Sequence, residues 1–204
     1  MHKLVTVGDS MTMGFQSGAM LRGDISYPVM LARALGVEDA FRYPREWGPE
    51  ALGGVPMNLE AVVRRFSGKW WFGVPLLRTV GAFAVVNRFL DKIERYWEGG
   101  DGCRPVPGVT DPYHNLAVLT FGVSDAYQVD EKLCSDVLGA YKDHRFLFAQ
   151  VPELPLYHAA RRVLNPSRTA QMCGWTQVDA LRRLSADGGI ENLIVSLHAP
   201  GLQG

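Results

Sequence analysis

The chain predicts an α/β fold built on a parallel sheet, and three observations carry that prediction. A β-branched run, Lys3-Leu4-Val5-Thr6-Val7, stops at Gly8-Asp9-Ser10 and passes straight into a helical pattern. Two further apolar runs of strand length follow at residues 115–119 and 192–197. The segments between them carry helical periodicity, and parallel strands joined by helical crossovers place helices on both faces of the sheet. With 204 residues, 47% of them hydrophobic, the chain reads as one domain over 1–204 with a sizeable core.

The first strand spans residues 3–8 and delivers the Ser10 hydroxyl at its carboxyl end, where ligands bind in such sheets. The unpaired N–H groups of the next helix face the same crevice. Ser10 is therefore the first candidate nucleophile. A second reading makes the segment a plain turn in which Asp9 or Ser10 caps the helix. A phosphate-cradling loop fits less well, because the segment has no Gly-Lys-Ser/Thr ending.

Residues 27–35 read as a helix, with Pro28 near its start and Gly36 just past its end. Residues 42–57 are rich in Gly and Pro. Residues 59–66 read as a short amphipathic helix with Arg64 and Arg65 outward. The cluster Trp70-Trp71-Phe72 reads as core packing or as an acyl-binding wall. The most apolar later stretch, Val74 to Val86, is interrupted by Pro75, Arg78 and Gly81 and falls short of the ~20 apolar residues of a membrane span. Residues 83–97 read as a second amphipathic helix, and residues 99–112 as a turn-rich connection. The last strand follows a helix and the turn Asp187-Gly188-Gly189. No segment repeats another at a fixed period.

Twenty-one basic residues balance 21 acidic ones, so there is no overall field to concentrate a polyanion, and nucleic-acid binding is not expected. Cys103, Cys134 and Cys173 are widely spaced and odd in number. They read as reduced, structural thiols without metal-ligand spacing. The amino terminus has no apolar stretch ahead of a small-residue cleavage site, so a cytoplasmic location is expected.

The residues around Ser10 match a family pattern. Gly8-Asp9-Ser10-x-Thr12-x-Gly14 resembles block I of the SGNH, or GDSL-type, hydrolases. It is not the Gly-x-Ser-x-Gly elbow of α/β-hydrolases, which needs Gly where Thr12 stands. Asn115-Leu116-Ala117-Val118 resembles the block II strand, which the family follows with a Gly whose N–H helps form the oxyanion hole. Thr120 occupies that position here, and Gly122 lies two residues on. Either N–H can serve, Thr120 if its side chain turns away. A second alignment reads Gly122-Val123-Ser124-Asp125 as an altered block III.

The resemblance implies a flavodoxin-like three-layer sandwich, incomplete at its carboxyl end and carrying a long helical insertion after strand 1. It implies hydrolysis of a small-molecule ester, lipase- or esterase-like, with Ser10 as nucleophile and no cofactor or metal. Gly8, Asp9, Thr120 and Gly122 shape the turn and oxyanion site. Asp9 adjoins the nucleophile and cannot also orient a distant imidazole, so it shapes the turn.

Two departures stand out. The block III Asn is replaced by His198-Ala199-Pro200-Gly201 after the last strand, and block V, Asp-x-x-His, is absent downstream. The one match, Asp111-Pro112-Tyr113-His114, precedes the block II strand and reads as a chance occurrence. His2 is terminal, His144 and His158 read as helix or loop surface, and His198 has no Asp three positions before it. The chain is therefore expected to be very slow or inactive, as an N-terminal part of a larger hydrolase. The alternative is a non-catalytic carbohydrate- or lipid-binding remnant. A bare sheet edge would favour self-association.

Overall fold

The computed structural model describes residues 1–20, 22–45, 47, 55–56, 58, 60, 87–88, 91–92, 95–96, 101–142 and 154–197. Among them the strands are β1 (Val5–Gly8), β2 (Ala19–Met20), β3 (Val55–Pro56) and β4 (Leu193–Ser196). The α-helices are α1 (Ser10–Met13), α2 (Tyr27–Ala34), α3 (Val123–Gln128), α4 (Glu131–Lys142), α5 (Leu154–Leu164) and α6 (Gln177–Ala186).

The molecule is mixed α/β with a small parallel sheet. β1 and β4 pair in parallel, in register from Val5 opposite Leu193 to Gly8 opposite Ser196. Along the other side of β1 runs the segment predicted as the second strand. The Thr6 N–H donates to His114 O at 2.8 Å, the Leu116 N–H to Thr6 O at 2.8 Å, and the Val118 N–H to Gly8 O at 3.0 Å. Only Asn115 forms a bridge there, opposite Thr6, so the expectation of a regular strand over 115–119 is corrected to an extended segment. A side chain intervenes. The Leu116 carbonyl, which a regular ladder offers to the Gly8 N–H, receives the Gln177 amide at 2.6 Å.

Alternation along β1 sends successive side chains to opposite faces. Leu4 packs with Val29, Ala32, Phe41 and Tyr43 under α2. Val5 and Val7 pack with Leu116, Ala180 and Leu184 under α6. A third cluster joins Met13, Met20 and Trp47 to Val118, Phe121, Cys134 and the α5 residues Ala159, Ala160, Val163 and Leu164.

Helix ends follow the sequence signals. Pro28 sits in the first turn of α2, and Gly36, just past its end, takes a left-handed φ of +69°. α6 opens with a capping box: the Thr176 hydroxyl accepts from the Asp179 N–H at 3.2 Å, and the Asp179 carboxylate accepts from the Thr176 N–H at 3.2 Å. Gly188 and Gly189, both at positive φ, turn the chain into β4. The antiparallel pair β2–β3 has no counterpart in the sequence reading, because two-residue strands display no periodicity.

Of the predicted helix over 83–97, the described residues Asn87, Arg88, Asp91, Lys92, Arg95 and Tyr96 are helical. Glu60 is helical. The rest of 59–66, the cluster Trp70-Trp71-Phe72 and the stretch Val74 to Val86 lie outside the described residues. Among the described residues no helix is long and apolar enough to cross a membrane.

Candidate functional site

The site forms where β1 ends. Asp9 leaves the strand in extended backbone and caps α1, its Oδ1 accepting from the Met11 N–H at 3.0 Å. Ser10 is the first residue of α1. Its Oγ accepts from the Thr120 N–H at 3.3 Å, so one hydrogen bond joins residues 110 positions apart. The distance is long for an N–H···O contact.

Each fixed residue of the Gly-Asp-Ser-x-Thr-x-Gly pattern has a local cause. A Cβ on Gly8 would lie 2.1 Å from Thr12 Oγ1 and 2.5 Å from Thr12 Cβ, so the buried Thr12 admits only glycine there. Gly14 closes α1 at φ +95°, donating its N–H to Met11 O at 3.2 Å. Thr12 Oγ1 and the Tyr27 hydroxyl share a hydrogen bond of 3.0 Å that ties α1 to α2.

Beneath α1 the buried Asn115 side chain joins three segments. Its Oδ1 accepts from Thr6 Oγ1 at 3.0 Å and from the Ala117 N–H at 3.2 Å, and its Nδ2 donates to Thr12 O at 3.1 Å. Removing that amide would strand a buried hydroxyl and a carbonyl.

Thr120 adopts φ +64°, a left-handed conformation that costs a residue with a Cβ roughly 1–2 kcal/mol. Its hydroxyl turns back and donates to Leu119 O at 2.7 Å, leaving its N–H aimed at Ser10. Gly122 is engaged elsewhere, donating its N–H to Asp125 Oδ2 at 2.9 Å as α3 begins. Of the two oxyanion donors read from sequence, Thr120 is the one at the serine.

The histidines lie otherwise. His114 is buried beside Thr6, at the amino-terminal end of the sheet. Ser10 stands four positions beyond Thr6, past the end of β1, a span of roughly 13 Å at the strand rise. His114 Nδ1 accepts from the Arg42 N–H at 2.9 Å, which puts its proton on Nε2, in contact with His2 Nδ1 at 2.9 Å. Burial first, then the Arg42 and His2 charges, lower its pKa to about 3. A ring held neutral at the far edge cannot serve Ser10, and the match Asp111 to His114 is a chance one.

His158 is buried on α5, not on the surface as predicted. The buried stripe of α5 is wide enough to take in residues 158–160 together with 163 and 164. His144 and His198 lie outside the described residues. Among the described residues no histidine hydrogen-bonds Ser10, and no group of three or more His, Cys, Asp or Glu is placed to hold a metal ion.

One residue at the site escaped the sequence reading. Gln177, the first residue of α6, is fully buried and donates from Nε2 to Gly8 O at 3.1 Å and to Leu116 O at 2.6 Å. The capping signal Thr176-x-x-Asp179 marks where α6 starts, but nothing local shows that the next side chain turns into the sheet. Comparison with protein-family models finds no match to the chain, and comparison with curated proteins and with solved structures finds none either.

Proposed function

We propose that the chain is a serine ester hydrolase of SGNH/GDSL type, with Ser10 as nucleophile and the N–H groups of Ser10 and Thr120 as oxyanion donors. The observation that carries this reading is the Thr120 N–H at 3.3 Å from Ser10 Oγ, presented from left-handed backbone at the position where the family pattern carries Gly. Thr120 carries strain there, and strain held beside a nucleophile is characteristic of functional loops. In the reaction Ser10 Oγ attacks the acyl carbon and the carbonyl oxygen takes the negative charge. The two amides stabilise that charge without reorganising. The C–O bond to the alcohol then breaks, the leaving oxygen taking up the proton that Ser10 Oγ gives to a base, and water hydrolyses the acyl-serine that remains.

The supporting fold reading is a three-layer flavodoxin-like sandwich in which segment 115–118, β1 and β4 are neighbours, with the long insertion between Gly14 and Asn115. The substrate is a small acyl ester. Among the described residues β4 pairs with β1 alone, and Leu193 and Val195 on it are exposed, a surface that favours self-association.

A second reading, a carbohydrate- or lipid-binding remnant of the same fold, is favoured by Ser10's own partner. Its hydroxyl accepts from an amide, and no described histidine bonds to it to take its proton. A fluorophosphonate tests both, because serine displaces fluoride from phosphorus only when activated. The hydrolase reading expects only a slow intact-mass adduct on the wild-type chain, since no described histidine serves Ser10 as base, and Ser10→Ala abolishes it. An unmodified chain after prolonged treatment, with retained binding of a sugar or acyl ligand, establishes the remnant.

A further inference from the structure

Gln177 occupies a fully buried position beside the site. It is the first residue of a ten-residue helix that runs back from the carboxyl edge of the sheet, and it has no exposed surface. Its Nε2 lies between two carbonyls of neighbouring segments: Gly8, two residues before Ser10, and Leu116, four residues before Thr120. Both carbonyls only accept, so the amide orientation is forced and the nitrogen must face them. The carboxamide oxygen then points away and, among the described residues, has no hydrogen-bond partner. A buried acceptor left unpaired is destabilising, a cost that an apolar residue at this position would avoid.

The Nε2 contacts also interrupt the ladder. Leu116 O is turned to the side chain at 2.6 Å, while Gly8 O accepts both Gln177 Nε2 and the Val118 N–H. Gln177 thereby sets how far the Ser10 turn and the Thr120 loop stand apart, because each loop begins a few residues beyond a carbonyl that it holds. We infer that Gln177 is a positioning residue that fixes the Thr120 N–H on Ser10 Oγ. This rests on the hydrolase reading for its catalytic meaning, but not for the contact itself.

The test is the Thr120 amide resonance in ¹⁵N-labelled full chain. Ser10→Ala first marks where that resonance moves when its acceptor is lost. Gln177→Met, similar in size but unable to donate, is expected to shift it toward the Ser10→Ala position while resonances of α4 and α5 stay in place. A folded Gln177→Met chain whose Thr120 amide keeps its wild-type position overturns the inference.

If Gln177→Met fails to fold, Gln177→Glu decides, because the introduced carboxyl donates to a carbonyl only when protonated. Its Thr120 resonance is expected at the wild-type position while the carboxyl is protonated and displaced toward the Ser10→Ala position once the carboxyl's own ¹³C signal reports ionisation, and a resonance that does not move across that ionisation overturns the inference. Fluorophosphonate labelling read in parallel separates the two ideas. A wild-type chain without adduct removes the hydrolase reading and leaves the resonance result standing. With an adduct, Gln177→Met is expected to label at least tenfold more slowly.

Discussion

Gly8 and Thr12 form one steric unit, and the residue scale is where the motif's spacing becomes physical. A methyl group on Gly8 would sit 2.1 Å from Thr12 Oγ1 and 2.5 Å from Thr12 Cβ, and that hydroxyl is also held by its bond to Tyr27. Gly8→Ala is therefore expected to destabilise the fold by about 2 kcal/mol or more, in the range of overpacking a dense core. Urea unfolding of Gly8→Ala, Thr12→Gly and the double variant measures it. The clash predicts strong coupling, and additive effects would show that Gly8 is constrained by something else. The Asp9 cap and Ser10 at the end of β1 follow from local spacing, and Thr120 was one of two donors, with Gly122, that the family pattern offered. Gln177 was not legible in the sequence, because its partners Gly8 O and Leu116 O are 169 and 61 positions away, and main-chain carbonyls carry no sequence signature.

Among the elements, those with periodicity or end signals were readable: β1 from its β-branched run, α2 from Pro28 and Gly36, and β4 from its apolar run after the Asp187-Gly188-Gly189 turn; the Thr176-Asp179 capping box that starts α6 has no counterpart in the sequence reading. The β2–β3 pair was too short to show a pattern, and segment 115–119 has a strand sequence whose ladder a side chain from another element interrupts. α6 is the element on which the site depends most, since its first turn carries Gln177. Its capping box satisfies N–H groups that would otherwise be orphaned at that turn. Thr176→Ala is expected to cost about 1 kcal/mol of stability, while Thr176→Ser retains most of it. Thermal unfolding compares them. If the Thr120 amide also shifts in Thr176→Ala, the helix start and the Ser10 contact are coupled; an unmoved amide confines the cap to stability.

Across the whole molecule the two ends of the sheet have different electrostatic characters. The carboxyl edge carries Ser10 and Thr120. The amino edge closes the chain on itself: His2 bridges Ile190 in parallel, its N–H donates to Gly189 O at 2.8 Å, and its ring touches both His114 and, at 3.9 Å, the Asp187 carboxylate. Facing His114 are the Arg42 N–H at Nδ1, the His2 ring at Nε2, the Ala40 backbone and the stacked Phe41 ring, so a proton added at Nδ1 meets a donor in a buried setting. Its folded pKa of about 3 lies below the 6.5 of the free side chain. In that window the unfolded chain holds a proton the folded chain does not. Stability from this ring is complete above pH 6.5 and is lost as pH falls toward 3, by up to about 2 kcal/mol between pH 6.5 and 5. Urea midpoints across that range are expected to fall steeply for the wild type and less steeply for His114→Gln. Equal slopes would mean that His114 is not the group whose protonation unfolds the chain. Because the ring lies roughly 13 Å from Ser10 at the strand rise, His114→Gln is also expected to leave any Ser10 adduct intact at pH 7. His114 and Ser10 therefore stand at opposite edges of one sheet, so the acid-stability prediction and the labelling prediction are tested independently of each other.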